Sequence, residues 1–375
     1  MMSEKPELPE IGEKETGLAQ AAPLLIGWFK KNARPLPWRM DRDPYRILVS
    51  ETMLQQTRIE TVLPYFERFL SDYPDPAHLA AAPEDEVLKH WEGLGYYSRA
   101  RHLREAARQC VEKYGGKLPG SYAGLRALPG LGEYTAGAVA SLAYGEPVSA
   151  VDGNVLRVLS RFWNDERDIS RSAVKKEARS RIEAVLRTLD EPGVFNEALM
   201  ELGEVRCLPN GRPQCLRCPL NGLCLARQAG TEADLPNRGE IKPRRKEAKT
   251  VLLLFCGEKV ALEKRPDRGL LAGLYGFPML DGALSLFDAA EWVRSFGVRV
   301  LSAEPAGEAV HVFTHVEWAM RGCRFRTDRP LPGLIYAEAD ELATKYALPS
   351  AFRLYRAQAK DSGKDKQNGK MGSDQ

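Results

Sequence analysis

Two carboxylic acids, Glu51 and Asp152, stand in surroundings different enough to divide acid–base work between them. Glu51 lies in YRILVSETMLQQTR (45–58), whose spacing predicts a helix with Ile47, Leu48, Leu54 and Gln55 on the same face. Apolar neighbours favour a neutral carboxyl, so its pKa rises and it can donate a proton near neutrality. Asp152 sits in Asp152-Gly153-Asn154, where the chain turns. A helix-length before it lies a second turn, Leu128-Pro129-Gly130-Leu131-Gly132, followed by the small residues Ala136, Gly137, Ala138, Ala140, Ser141 and Ala143. Gly130 and Gly132 permit a tight turn whose backbone N–H groups open a helix, and such groups bind phosphate. A phosphate-gripping turn at this distance suggests a device that sets one acid against a nucleic-acid backbone. Four cysteines, Cys207, Cys215, Cys218 and Cys224, follow with gaps of seven, two and five residues. By count they suit a tetrahedral zinc or a four-iron cluster equally well.

The elements that must position these groups are mostly helices. Amphipathic spacing predicts helices over 18–31, 45–58, 60–72, 84–92, 99–114, 121–127 and 173–190, and almost nothing before residue 248 reads as a strand. Residues 1–18 form a polar tail expected to be disordered, 19–228 an all-α domain, and 229–248, with its prolines and basic cluster, a linker. Between 249 and 356 the texture becomes α+β: TVLLLFC, KVALEKR, VRVLSAE and HVFTHVEWAMRGCRFR read as strands around one helix near 287–296. Residues 357–375 read as a low-complexity, disordered tail.

Composition narrows the function classes. Hydrophobic residues make up 43% and charged residues 28% of 375, as in an ordinary multidomain soluble protein. The net charge of +3 is weak, so nucleic-acid affinity must come from local basic patches. No apolar run is long enough to cross a bilayer, and the acidic N-terminal stretch MMSEKPELPEIGEKE lacks the apolar core of a secretory signal. Clustered cysteines without an export signal suggest metal or cluster ligands in a cytoplasmic protein, nucleoid-associated if bacterial.

Residues 128–154 resemble the helix–hairpin–helix signature of the DNA base-excision glycosylases, and residues 19–356 are similar to the adenine DNA glycosylases of the MutY type. The resemblance implies a multidomain fold: an all-α helix–hairpin–helix domain with an iron–sulfur cluster loop, then an α+β Nudix-like domain. It implies a monofunctional enzyme, acting as a monomer on double-stranded DNA with no membrane partner, that flips out and excises adenine mispaired with 8-oxoguanine or G. Residue by residue, it makes Glu51 the acid that protonates the purine and Asp152 the group that stabilises the sugar cation, with Asn154 orienting Asp152 or a water. Tyr134 stands where the related lyases have a Lys, so no amine is available for a Schiff base. Trp38, Arg39 and Glu197 match positions lining the adenine pocket. Gln56 matches an intercalating Gln, and Tyr96, with Leu94 and Gly95 in the same loop, matches the residue that wedges beside the opposite base.

For the four cysteines the resemblance implies a [4Fe-4S] cluster, although the first gap is one residue longer than the family's pattern; Arg206, Arg212 and Arg217 stand in that loop. GLLAGLYGFP (269–278) resembles the Nudix-like domain, but SLFDAAEWVRSFGV has only one Glu and lacks a metal box, which argues against a nucleotide pyrophosphatase. Phe313, Thr314 and His315 match a Phe-Ser-His loop that reads 8-oxoguanine, with Thr in place of Ser. Tyr275 and Gly276 stand where relatives often carry Trp and Glu. Two alternatives remain: a bifunctional glycosylase/lyase, and a lesion-binding protein without catalysis.

Overall fold

The computed structural model describes residues 13–239 and 243–361. These fall into two compact units. One joins the described residues up to Ala81 with those from His102 to 239; the other joins Ala82–Arg101 with those from 243 onward.

The first unit is helical. It holds α1 (Glu13–Asn32), α2 (Pro44–Leu54), α3 (Ile59–Asp72) and α4 (Pro76–Ala81). After α5 (Glu84–His90), which belongs to the second unit, the chain returns along α6 (Ser98–Tyr114). Then come α7 (Tyr122–Arg126), α8 (Glu133–Tyr144), α9 (Gly153–Phe162), α10 (Ser172–Leu186), α11 (Pro192–Val205) and the short α12 (Leu225–Ala229). One core of this unit is built from the apolar faces of α1, α9, α10 and α11, including Leu25, Leu159, Ile182 and Phe195. Helix α2 starts where Asp43 accepts the Arg46 N–H at 2.8 Å and Pro44 supplies a preset φ at the first turn. It ends at Leu54, earlier than the predicted 58, because Gln56 takes a positive φ of 58°. Gln55, expected on the Glu51 face of the helix, therefore lies on a loop together with Gln56.

The predicted hairpin is α7–turn–α8. Gly130 has φ +74°, and a Cβ there would lie 2.3 Å from the Cβ of His102. Only glycine meets both demands.

In the second unit β1 (Arg245–Cys256), β2 (Lys259–Lys264), β3 (Tyr275–Gly276), β4 (Met279–Asp281), β5 (Val300–Val312), β6 (Val316–Thr327) and β7 (Ile335–Ala337) form one mixed sheet. The order is β3-β2-β1-β6-β5, with β4 on β1 and β7 on β2; β1 and β6 run parallel and the other pairs antiparallel. The run VLLLF explains the layering. Val251, Leu253 and Phe255 enter a core with Leu342, Phe352 and Tyr355, from α14 (Ala339–Thr344), a short 3-10 turn and α15 (Arg353–Asp361). Leu252 and Leu254 enter the opposite core, with Ala289, Ala290 and Val293 of α13 (Leu286–Arg294). A strand buried on both faces reads as a continuous apolar run. At Gly276 a Cβ would lie 2.8 Å from Phe352, which leaves no room for a larger residue, and the Tyr275 hydroxyl donates to Asp85 at 2.8 Å.

Several predicted boundaries move. Helix α1 begins at Glu13, inside the tail expected to be disordered, and α15 runs to Asp361, past the predicted domain end at 356. Residues 1–12 and 362–375 lie outside the described residues. Strand β1 starts at Arg245, inside the predicted linker 229–248. Residues 82–101 group with the C-terminal unit although they sit within the predicted catalytic range. Here Lys89 donates to the carbonyls of Tyr346 and Leu342 at 3.0 and 3.4 Å, Arg356 pairs with Glu92, and Lys264 pairs with Asp85 at 3.0 Å. Ion pairs between sequence-distant charges carry no local periodicity. The stretch HVFTHVEWAMRGCRFR is two strands, with Phe313-Thr314-His315 as the turn between β5 and β6.

Candidate active site

Helices α2, α8, α9 and α11 of the first unit surround a cleft of about 900 Å³. Glu51, Tyr134, Asp152, Asn154, Trp38, Arg39, Gln56 and Glu197 all line it. Glu51 projects from α2 and is only 5% exposed. Burial pushes its carboxyl up to about 7; a hydrogen bond from Tyr134 opposes that rise, while the negative charges of Asp152 and Glu197 reinforce it. The Tyr134 hydroxyl, in the first turn of α8, donates to Glu51 Oε2 at 2.5 Å. Burial holds that hydroxyl protonated, far above its ordinary range. The absence of Lys from this position was legible in the sequence; the hydroxyl's grip on the acid was not, because 83 residues separate the pair.

Asp152 caps α9. Its Oδ1 accepts the Val155 N–H at 2.8 Å, and its Oδ2 accepts Asn154 Nδ2 at 3.0 Å. Burial raises this carboxyl too, but the backbone N–H groups of Val155 and Asn154 act the other way, favouring the anion. Asn154 Oδ1 accepts from Arg157 at 2.9 Å, and Arg157 also donates to the carbonyls of Gly203 and Cys207. Two carboxyls thus meet one cleft, an apolar one fit to carry a proton near neutrality and one held by N–H donors. That pairing can protonate a leaving group and face the positive charge left behind.

Helix α11 contributes more than the sequence reading found. Glu197, Met200, Glu201 and Glu204 recur at helical spacing and all line the cleft. Glu197 is buried between Arg39, at 3.3 Å, and Arg42, at 2.7 Å. Glu201 accepts from Arg34 at 2.7 and 2.8 Å and from Arg39 at 2.9 Å, and these arginines hold its carboxyl below the ordinary range despite burial. Trp38 packs edge-on against Phe66 at 5.2 Å between ring centres. Of the missed residues, Glu201 and Glu204 had a signal, a period of three to four among the acids of NEALMELGE, while Arg34 lies outside that stretch.

The remaining predicted residues lie elsewhere. Gly130 and Gly132 form the α7–α8 turn and do not line the cleft. In the second unit Leu94 is buried, so its side chain is not available to a ligand, while Gly95 has φ +72° and Tyr96 is 46% exposed. The Tyr96 hydroxyl lies 3.0 Å from Thr314 Oγ1. Phe313 stacks edge-on between His311 and Trp318, at 4.5 and 4.9 Å, leaving Thr314 and His315 exposed at the hairpin tip.

The four cysteines share one region. Cys207, Cys215 and Cys224 all act electrostatically on the Cys218 thiol, which burial pushes up to about 12. Arg161 donates to Cys207 Sγ at 3.2 Å. The longer first gap closes through a 2.8 Å bond from Gln214 N to Arg206 O. Among the described residues, however, no three His, Cys, Asp or Glu side chains are grouped so as to hold a metal ion, which applies to the expected [4Fe-4S] cluster as much as to zinc.

Residues 49–184 match the family described as "HhH-GPD superfamily base excision DNA repair protein", and residues 250–358 match the family described as "NUDIX domain". The chain is 33% identical over 405 residues to the adenine DNA glycosylase of Homo sapiens, covering 89% of this chain and 73% of that protein. It is 31% identical over 296 residues to the adenine DNA glycosylase of Buchnera aphidicola subsp. Baizongia pistaciae, covering 78% and 82%. Its fold is similar to that of a thermostable thymine-DNA glycosylase, with a TM-score of 0.50 and 28% identity over 58% of this chain and 98% of the other.

Proposed function

The chain belongs to the adenine DNA glycosylases of base excision repair, and on that premise we propose that it excises adenine opposite 8-oxoguanine, and secondarily opposite guanine, and stops at base release. The observation that carries this reading is the buried Glu51, held by Tyr134, in one cleft with Asp152. A target adenine must leave the stack to reach that cleft. Glu51 gives its proton to a ring nitrogen of adenine; the N-glycosidic bond breaks with its electron pair on the base. The sugar cation faces the Asp152 carboxylate, which bonds to C1′. Water then displaces Asp152, and its proton returns to Glu51, so adenine and an abasic sugar leave and both acids are restored. Asn154 orients Asp152. Glu197, fixed by Arg39 and Arg42, accepts from the exocyclic amine of adenine.

Tyr134 has no amine to form a Schiff base, which separates this reading from the lyase alternative. On the family resemblance Gln56 enters the stack vacated by the flipped base, Tyr96 wedges beside the opposite base, and the exposed Thr314 and His315 read the lesion. Cys207, Cys215, Cys218 and Cys224 would hold a [4Fe-4S] cluster. The support is their common region: Cys207, Cys215 and Cys224 all lie close enough to act on the Cys218 thiol. When bound, the cluster pins the loop that presents Arg212 and Arg217 to phosphates.

The test is single-turnover base release from duplexes with A opposite 8-oxoguanine, G or T, analysed with and without alkali. Strand breaks only after alkali, fastest opposite 8-oxoguanine, are expected. Breaks without alkali would instead establish a lyase, and mismatch affinity without base release would establish a binding protein.

A further inference from the structure

Of the acids on the cleft face of α11, Glu197 and Glu201 are each held by two arginines, but Glu204 is not: among the described residues it forms no ion pair. Its carboxylate accepts instead from Asn154 Nδ2, at 2.7 Å. The Asn154 amide has two N–H bonds and one carbonyl. One N–H goes to Asp152 Oδ2 at 3.0 Å, the other to Glu204 Oε1, and the carbonyl takes Arg157 at 2.9 Å. Turning the amide over would set its oxygen against two carboxylates and its NH₂ against a guanidinium. Glu204 is exposed, and an extra carboxylate in a cleft that receives a polyanion works against binding. Solvent exposure also leaves it little part in holding the fold.

We propose that Glu204 is a positioning residue for base excision: it takes the second N–H of Asn154 and so locks that amide with its first N–H on Asp152. The inference rests on the assignment of Asp152 to the sugar cation. Without Glu204 the amide is held on the NH₂ side by Asp152 alone and can rotate away from the geometry that keeps the carboxylate aimed. Glu204→Gln keeps an acceptor oxygen for the same N–H, while Glu204→Ala does not.

The experiment is single-turnover release of adenine from an A:8-oxoguanine duplex, with the duplex dissociation constant measured in parallel, for Glu204→Ala, Glu204→Gln and Glu204→Ala combined with Asn154→Ala. Glu204→Ala is expected to release adenine about tenfold more slowly, as for loss of one exposed hydrogen bond to a charged group. Glu204→Gln recovers most of that rate, and neither variant binds the duplex more weakly than wild type. In the Asn154→Ala background, removing Glu204 adds no further loss. A wild-type rate in Glu204→Ala, equal slowing in both Glu204 variants, or independent losses in the double variant would overturn the proposal and leave the glycosylase reading intact. A wild-type chain that releases no adenine would remove both.

Discussion

Glu51 is where burial, charge and chemistry meet. A rise from the ordinary 4.5 to about 7 corresponds to roughly 3 kcal/mol of preference for the neutral acid in the folded chain. The folded pKa lies above the unfolded one. Its share of stability is therefore complete below about 4.5 and is lost as pH climbs through about 7. Chemistry follows the same titration: base release limited by Glu51 is fastest below about 7 and falls above it. Glu51→Gln should cut single-turnover release by about 10²-fold or more, yet raise the melting temperature relative to wild type at pH 8. A rate insensitive to that substitution would remove Glu51 from the reaction. At the hairpin tip, Thr314→Ala removes the partner of the Tyr96 hydroxyl. Release opposite 8-oxoguanine should lose part of its advantage over release opposite G, while global stability changes by less than about 1 kcal/mol, since both groups are exposed. Equal rate ratios in variant and wild type would take Thr314 out of lesion reading.

Elements impose their own constraints. The α7–α8 turn combines a left-handed glycine with a backbone pressed against His102, so Gly130→Ala meets both strain and a clash. It should destabilise by about 1–3 kcal/mol and weaken duplex binding, read by thermal melting and by affinity at two salt concentrations. An unchanged melting temperature would mean the turn relaxes freely. Much of this level was legible: the Gly-rich turn, the small-residue helix α8 and the continuous apolar run in β1 each carry their pattern in consecutive residues. The end of α2 was not legible, because QQTR continues a helical pattern while Gln56 takes a positive φ. The acidic face of α11 was legible in part. Its spacing stands in NEALMELGE, but nothing local says which acids meet arginines and which meets Asn154.

At the scale of the molecule, residues 82–101 belong with the C-terminal unit. Deleting 241–375 would strip Asp85 of Tyr275 and Lys264, and Glu92 of Arg356. We expect such a truncation to lower the melting temperature of what remains and to expose the 82–101 segment to protease first; a truncated chain as stable and as resistant as the whole would refute that grouping. The sequence by itself determined the family, the order of a helical part before a mixed sheet, and which residue types could carry acid, cation-stabilising and cluster roles, because each is written in motifs of a few neighbouring positions. Only the tertiary structure decided that Tyr134 binds Glu51, that Glu204 shares Asn154 with Asp152, and that residues 82–101 join the far end of the chain. Those outcomes depend on burial and on pairings across tens to hundreds of residues, and a carboxyl's pKa or an amide's orientation exists only once its partners have come together.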